Sequence, residues 1–113
     1  MHGPIALLVS DLAVLSSLQF ALSVEGFQLT AAVDDLAAAA LVIDQGFRGD
    51  GLAALDIMRV RGSTAPAIVL ATNPTPSFCA RAAKAGALLI EKPLLGDELS
   101  SAIAHALEPR KAA

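Results

Sequence analysis

Four places in this 113-residue chain put a chemically useful side chain directly after an apolar run. Asp44 closes Leu41-Val42-Ile43 and precedes the glycine-rich stretch Gln45-Gly46-Phe47-Arg48-Gly49-Asp50-Gly51. Ser10 and Asp11 follow Ile5-Ala6-Leu7-Leu8-Val9, Thr72 and Asn73 follow Ala67-Ile68-Val69-Leu70-Ala71, and Glu91 and Lys92 follow Ala87-Leu88-Leu89-Ile90. Short continuous apolar runs of this kind read as strands buried on both faces. Open α/β sheets bind their ligands just outside the carboxyl ends of such strands. A ligand there would meet two carboxylates, a hydroxyl and an ammonium. Each residue also has a plainer role open to it. Asp44 can cap its own loop, and Asp11 can cap a helix by accepting from first-turn amides. Thr72 before Asn73-Pro74 can be turn chemistry alone. Lys92 can be a loop lysine with its ammonium in water.

The elements that must position these residues follow from periodicity. Ile5 to Val9 reads as the first strand. Leu12, Leu15, Leu18 and Leu22 recur at three- and four-residue steps and predict an amphipathic helix, ended by Gly26 in a left-handed cap. Phe27 to Val33 reads as the second strand, and Asp34 to about Ala39 leaves room only for a shortened second helix before the third strand. The next helix runs from Gly51 to Val60, with Leu52, Leu55 and Met58 inward and Asp56 and Arg59 away from the core. Pro66 opens the fourth strand, where proline is tolerated at the first position. Thr75 caps a helix that begins with Pro76 and stops at Gly86. A fifth strand, Ala87 to Ile90, precedes a last helix with Asp97 and Glu98 in its first turn and Leu99, Ala102, Ile103 and Ala106 buried. Alternating strands and helices imply a doubly wound parallel sheet with right-handed crossovers, of the flavodoxin-like (βα)5 type with strand order 2-1-3-4-5.

Composition narrows the function classes. The length fits one domain, read as spanning 1–113 with no output domain. Lys and Arg total 8 without clustering, the formal net charge is -3, and Trp and Tyr are absent, so no nucleic-acid surface is expected. The single cysteine, Cys79, excludes an internal disulfide and fits a reducing compartment, and it reads as a small buried hydrophobe. No apolar run reaches membrane-spanning length and no signal peptide is evident, so a cytoplasmic location is expected. His2 and His105 have no acid, cysteine or serine partner at useful spacing.

The strand-end residues, in this order, resemble the receiver domains of two-component response regulators, over nearly the whole chain. That family carries an acidic pair after the first strand and a phosphoacceptor aspartate after the third. A Ser or Thr follows the fourth strand and Lys-Pro the fifth. Ser10 and Asp11 stand at the acidic-pair positions, Asp44 at the phosphoacceptor, Thr72 at the hydroxyl and Lys92-Pro93 at the lysine-proline. Gly49-Asp50-Gly51-Leu52 and Ala83-Lys84-Ala85-Gly86-Ala87 also look like the family's loops. The resemblance implies that Asp44 attacks a phosphoryl group as a nucleophile, in chemistry that is mainly positioning and charge neutralisation. It implies a weak Mg²⁺ site at Asp11, Asp44 and the Gly46 carbonyl, with Lys92 as a point charge and Thr72 as a hydroxyl donor. The sequence departs from the pattern at four points. Ser10 replaces an acid, the segment between Asp11 and Asp44 is short, Leu89 replaces the aromatic switch residue, and Asn73 follows Thr72 where a small residue is usual.

The expected function is a single-domain receiver, not an enzyme. It takes a phosphoryl group on Asp44 from a histidine kinase or phosphotransfer protein and signals by contact with a downstream protein. The family's partner surface implies contact with that partner, or with a second copy as a homodimer, through the helix after Pro76, the fifth strand and the last helix, where Ala82, Ala83, Ala102 and Ala106 are small. The alternative is a pseudo-receiver, a binding module of the same fold that is not phosphorylated. A small enzyme or cofactor binder of this fold ranks last, since no Gly-x-Gly-x-x-Gly or Walker loop is present and aromatics are few.

Overall fold

The computed structural model describes residues 4–30, 38–92 and 98–107. Five parallel strands form one sheet in the order β2-β1-β3-β4-β5, with β1 Ile5–Leu8, β2 Leu29–Thr30, β3 Ala40–Asp44, β4 Ala67–Ala71 and β5 Ala87–Glu91. Four α-helices accompany them among the described residues: α1 Leu12–Val24, α2 Gly51–Val60, α3 Pro76–Lys84 and α4 Glu98–Leu107. A 3-10 turn spans Phe47–Gly49. Fold class and strand order are those expected. Of the shortened helix expected from Asp34 to about Ala39, residues 34–37 lie outside the described residues, as do Val33, Pro93 and Asp97, while Ala38 and Ala39 are not helical.

Alternation along the strands decides what each face buries. Ile5, Leu7, Ala40, Val42, Ile68 and Leu70 point to one side, where they pack with Leu18 and Leu22 of α1 and Leu99 and Ile103 of α4. Ala6, Leu8, Leu41, Ile43, Ala67 and Val69 point to the other, against Leu52, Leu55 and Met58 of α2 and Ala82 of α3. Strands apolar on both faces are what helices on both faces require. The central β3 is the extreme case, with Leu41, Val42 and Ile43 all fully buried.

Several expectations are corrected in detail. Leu12 is 75% exposed rather than part of the buried stripe of α1. Two successive three-residue steps fall short of a full turn, so Leu12 lies about 120° around the axis from Leu18. Ala82 is 1% exposed and belongs to the core, so it cannot line an outer face of α3. Arg59 is not a solvent-facing cation: its guanidinium donates to the carbonyls of Ser63 (3.3 Å) and Ala65 (2.6 Å), bracing the turn between α2 and β4. Cys79 is half-buried. Gly26 does take the left-handed conformation expected at the end of α1, with φ +94°. No helix among the described residues is long and apolar enough to cross a membrane.

Candidate functional site

The candidate site lies at the carboxyl ends of β1, β3, β4 and β5. Registers align Leu8 with Ile43, Asp44 with Leu70 and Ala71 with Glu91, so the residues after each strand converge at one edge. The ladder continues one step past the strands. The Gln45 amide donates to the Leu70 carbonyl (2.9 Å), and the Lys92 amide donates to the Ala71 carbonyl (2.7 Å). Lys92 is thereby fixed beside the end of β4, and its side chain reaches across that strand toward β3.

It ends on Asp44. The Lys92 ammonium donates to Asp44 Oδ1 at 2.6 Å, with the two side chains 31% and 21% exposed. The other carboxylate oxygen, Oδ2, accepts the Gly46 amide at 3.0 Å. A charged donor and a backbone donor thus hold the carboxylate from two directions. Strand neighbours sit about 4.8 Å apart, so a contact that skips a strand needs a side chain as long as lysine's.

Asp11 takes the capping role open to it: its Oδ1 accepts the amides of Ala13 (2.9 Å) and Val14 (3.3 Å) at the start of α1. Ser10 contacts the opposite loop, where its Oγ accepts the Arg48 amide at 3.2 Å. Arg48 is left-handed (φ 51°, ψ 31°), and its guanidinium carbon stands 5.3 Å from the centre of the Phe47 ring. The Gly46 carbonyl accepts the Gly49 amide at 2.9 Å, closing the turn. Thr72 is exposed at the end of β4, and its amide donates to Gln45 Oε1. Asn73 is left-handed (φ 46°), a conformation asparagine tolerates better than most residues, which gives it a backbone reason to follow Thr72.

The donor set is compatible with a Mg²⁺ ion. Among the described residues no group of three or more His, Cys, Asp or Glu could hold a metal by itself. Mg²⁺ rarely uses such cages; it takes one or two carboxylates and completes its shell with water and phosphate oxygens. Both bonds to Asp11 fall on Oδ1, so capping leaves the second oxygen's lone pairs for a cation. A carbonyl likewise has a second lone pair beyond the one Gly46 gives to Gly49.

Two parts of this site escaped the sequence. Gln45 reads from the sequence only as part of the loop after Asp44, although the parallel-ladder rule marks the residue after Asp44 as the next pairing position. Asp50 and Arg81 form an ion pair at 3.1 Å that ties the loop after β3 to α3. Nothing in their 31-residue separation announces that pair.

No protein-family profile matches the chain, and no curated protein matches it. Solved structures do. A CheY-like response regulator receiver domain protein from Methanospirillum hungatei JF-1 superposes with a TM-score of 0.84 at 19% identity, over 95% of this chain and 94% of that one. FixJ-N superposes with a TM-score of 0.81 at 26% identity, over 100% of this chain and 99% of that one. The receiver domain of NtrX from Brucella abortus superposes with a TM-score of 0.78 at 27% identity, over 91% and 97%. At 19% the first likeness speaks to the fold alone.

Proposed function

We propose that this chain, a divergent receiver domain, accepts a phosphoryl group on Asp44 and signals by contact with another protein. The observation that carries the reading is the ammonium of Lys92 held 2.6 Å from Asp44 Oδ1 across the end of β4. A lysine spanning a strand to reach a strand-end carboxylate supplies a fixed positive charge where the oxygens of a transferred phosphoryl group would gather.

The step balances simply. An oxygen of Asp44 attacks phosphorus of a phosphohistidine on a histidine kinase or phosphotransfer protein. The phosphorus–nitrogen bond breaks, its electron pair returns to the imidazole, and an acyl phosphate forms on Asp44. Such transfers are governed by positioning and charge compensation. Lys92 compensates charge as a compact ammonium, the Gly46 amide orients the carboxylate, and Thr72 offers a hydroxyl to the product. Mg²⁺, held by Asp11, Asp44 and the Gly46 carbonyl, would supply further neutralisation of the phosphoryl oxygens. Having no turnover of its own in this reading, the chain acts as a signalling partner rather than an enzyme.

The partner surface proposed is α3, β5 and α4. With Ala82 buried, the apolar group offered there is Leu88 on the edge strand β5, 52% exposed. A downstream protein or a second copy would dock on that face.

A pseudo-receiver is the second reading, and one observation favours it. Ser10, at an acidic-pair position, carries no charge, and its Oγ accepts the Arg48 amide of the opposite loop. Intact mass after incubation with acetyl phosphate and Mg²⁺ separates the two. The receiver reading expects the protein to gain one phosphoryl group and Asp44→Asn to gain none. No gain in the parent leaves the binding-module reading.

A further inference from the structure

Gln45 sits where the chain leaves β3, and its main chain does not complete the ladder with Thr72. In a parallel ladder the Gln45 amide bonds the Leu70 carbonyl, as it does here at 2.9 Å, and the Thr72 amide should then donate to the Gln45 carbonyl. That carbonyl accepts from the loop instead. The loop after β3 turns back so tightly that the Gly51 amide donates to it at 2.8 Å. The Thr72 amide finds its acceptor in the Gln45 side chain instead, on Oε1. Of the two ends of the Gln45 side-chain amide only the oxygen can accept a backbone N–H, so the orientation of the amide follows from the bond itself.

We propose that Gln45 is a positioning residue for Thr72: its side-chain oxygen stands in for the missing ladder carbonyl and sets where the Thr72 hydroxyl stands relative to Asp44. This rests on the phosphoacceptor reading above and adds a residue to it. The physical reason is local. Residue 72 follows the last residue of β4, and the amide of residue 73 is on a left-handed turn. With its own amide unpinned, residue 72 would be free to swing, and a hydroxyl that must meet a phosphoryl oxygen would first have to be ordered. Gln45 is half-buried, next in sequence to the nucleophile and bonded to the strand that carries the hydroxyl, so one side chain fixes the distance between the two groups.

Two measurements test this, the first without phosphorylation. Hydrogen exchange of the Thr72 amide is followed by NMR in the parent, in Gln45→Met, which keeps the length and loses the acceptor, and in Gln45→Glu, which keeps the acceptor. Exchange is expected to rise about three- to tenfold in Gln45→Met, the worth of one net hydrogen bond, and to stay at the parent level in Gln45→Glu. The second follows phosphoryl uptake from acetyl phosphate with Mg²⁺ by intact mass in the parent, Gln45→Met, Thr72→Ala and the double variant. Gln45→Met is expected to slow uptake about three- to tenfold, and to slow it no further once Thr72 is alanine. A general structural role would slow both backgrounds alike. Unchanged Thr72 exchange in Gln45→Met, or effects that multiply in the double variant, overturn the inference. If the parent takes up no phosphoryl group, the phosphoacceptor reading falls, while the exchange arm still decides whether Gln45 holds Thr72.

Discussion

Gly51 and Asp44 are so close that a Cβ on residue 51 would stand 2.2 Å from the Asp44 carbonyl oxygen, and 3.0 Å from a methyl of Ile43. The clash is with backbone, so no side-chain rotation relieves it. Gly51→Ala must push the start of α2 away from the end of β3, at a cost of about 1–3 kcal/mol typical of overpacking. The Gly51 amide also holds the Gln45 carbonyl, so the displacement reaches the candidate site. Urea unfolding is expected to show that loss, with the largest chemical-shift changes at residues 44–46. A Gly51→Ala variant as stable as the parent would mean the approach is not as tight as described.

Asp50 is expected to make the stability of this loop depend on pH. Its Oδ1 caps α2 through the amides of Leu52 and Ala53, and its Oδ2 accepts from Arg81 at 3.1 Å. Burial pushes its pKa up, but the Ala53 amide, the Arg81 guanidinium and the Leu52 amide together hold it below its ordinary value of 3.8. A depressed folded pKa means the contribution is complete above that ordinary value and is lost as pH falls through the folded one. Asp50→Asn keeps an oxygen for the cap and loses the charge. Its deficit against the parent is expected to be under about 1 kcal/mol near neutrality, as for exposed pairs. It should shrink below pH 3.8 and with added salt. A deficit that is independent of both pH and salt would contradict the ion-pair account.

In the proposed cation site, Ser10 is the strand-end position that brings no charge. Ser10→Asp can still accept the Arg48 amide and adds a third carboxylate beside Asp11 and Asp44. Mg²⁺ affinity, followed by amide shifts on titration, is expected to rise by roughly tenfold, since charge count tunes such sites. Equal or weaker affinity would remove Ser10, and with it the strand ends, from the cation site.

If Asp44 is phosphorylated as proposed, Leu89 is expected to limit how far the signal travels. It is half-buried against the α2 and α3 side of the core, where an aliphatic side chain cannot repeat the rotation of an aromatic ring. Thr72 remains as the source of a differential hydrogen bond, worth about 1.5–3 kcal/mol to a charged acceptor in favourable cases and less when exposed. Partner affinity with and without beryllofluoride is therefore expected to differ by about tenfold or less. A difference of about a hundredfold or more would show that another element carries the switch.

Where the sequence was informative, one local rule settled each feature. Leu41-Val42-Ile43 reads as a doubly buried strand and is one, and Thr75-Pro76 and Asp11-Leu12 can be read as helix starts from capping chemistry alone. The misses are geometric. Leu12 falls off the buried stripe because three-residue steps drift around a helix. Ala82 lies in the core although alanine carries no directional signal in the sequence. The Asp50–Arg81 pair and the substitution of the Gln45 side chain for its own carbonyl depend on how the loop after β3 folds back. That path is set by Gly51 packing on Asp44, which no pairwise spacing reveals.

The central claim is that Asp44 is the residue that carries the phosphoryl group. Its most direct test is borohydride reduction of the protein after treatment with acetyl phosphate and Mg²⁺, followed by peptide mapping. Borohydride converts an aspartyl phosphate to homoserine and leaves free carboxylates intact. The account predicts homoserine at position 44 and nowhere else, with the yield sharply reduced in Lys92→Met. Homoserine at another aspartate, or none at any position, would contradict it.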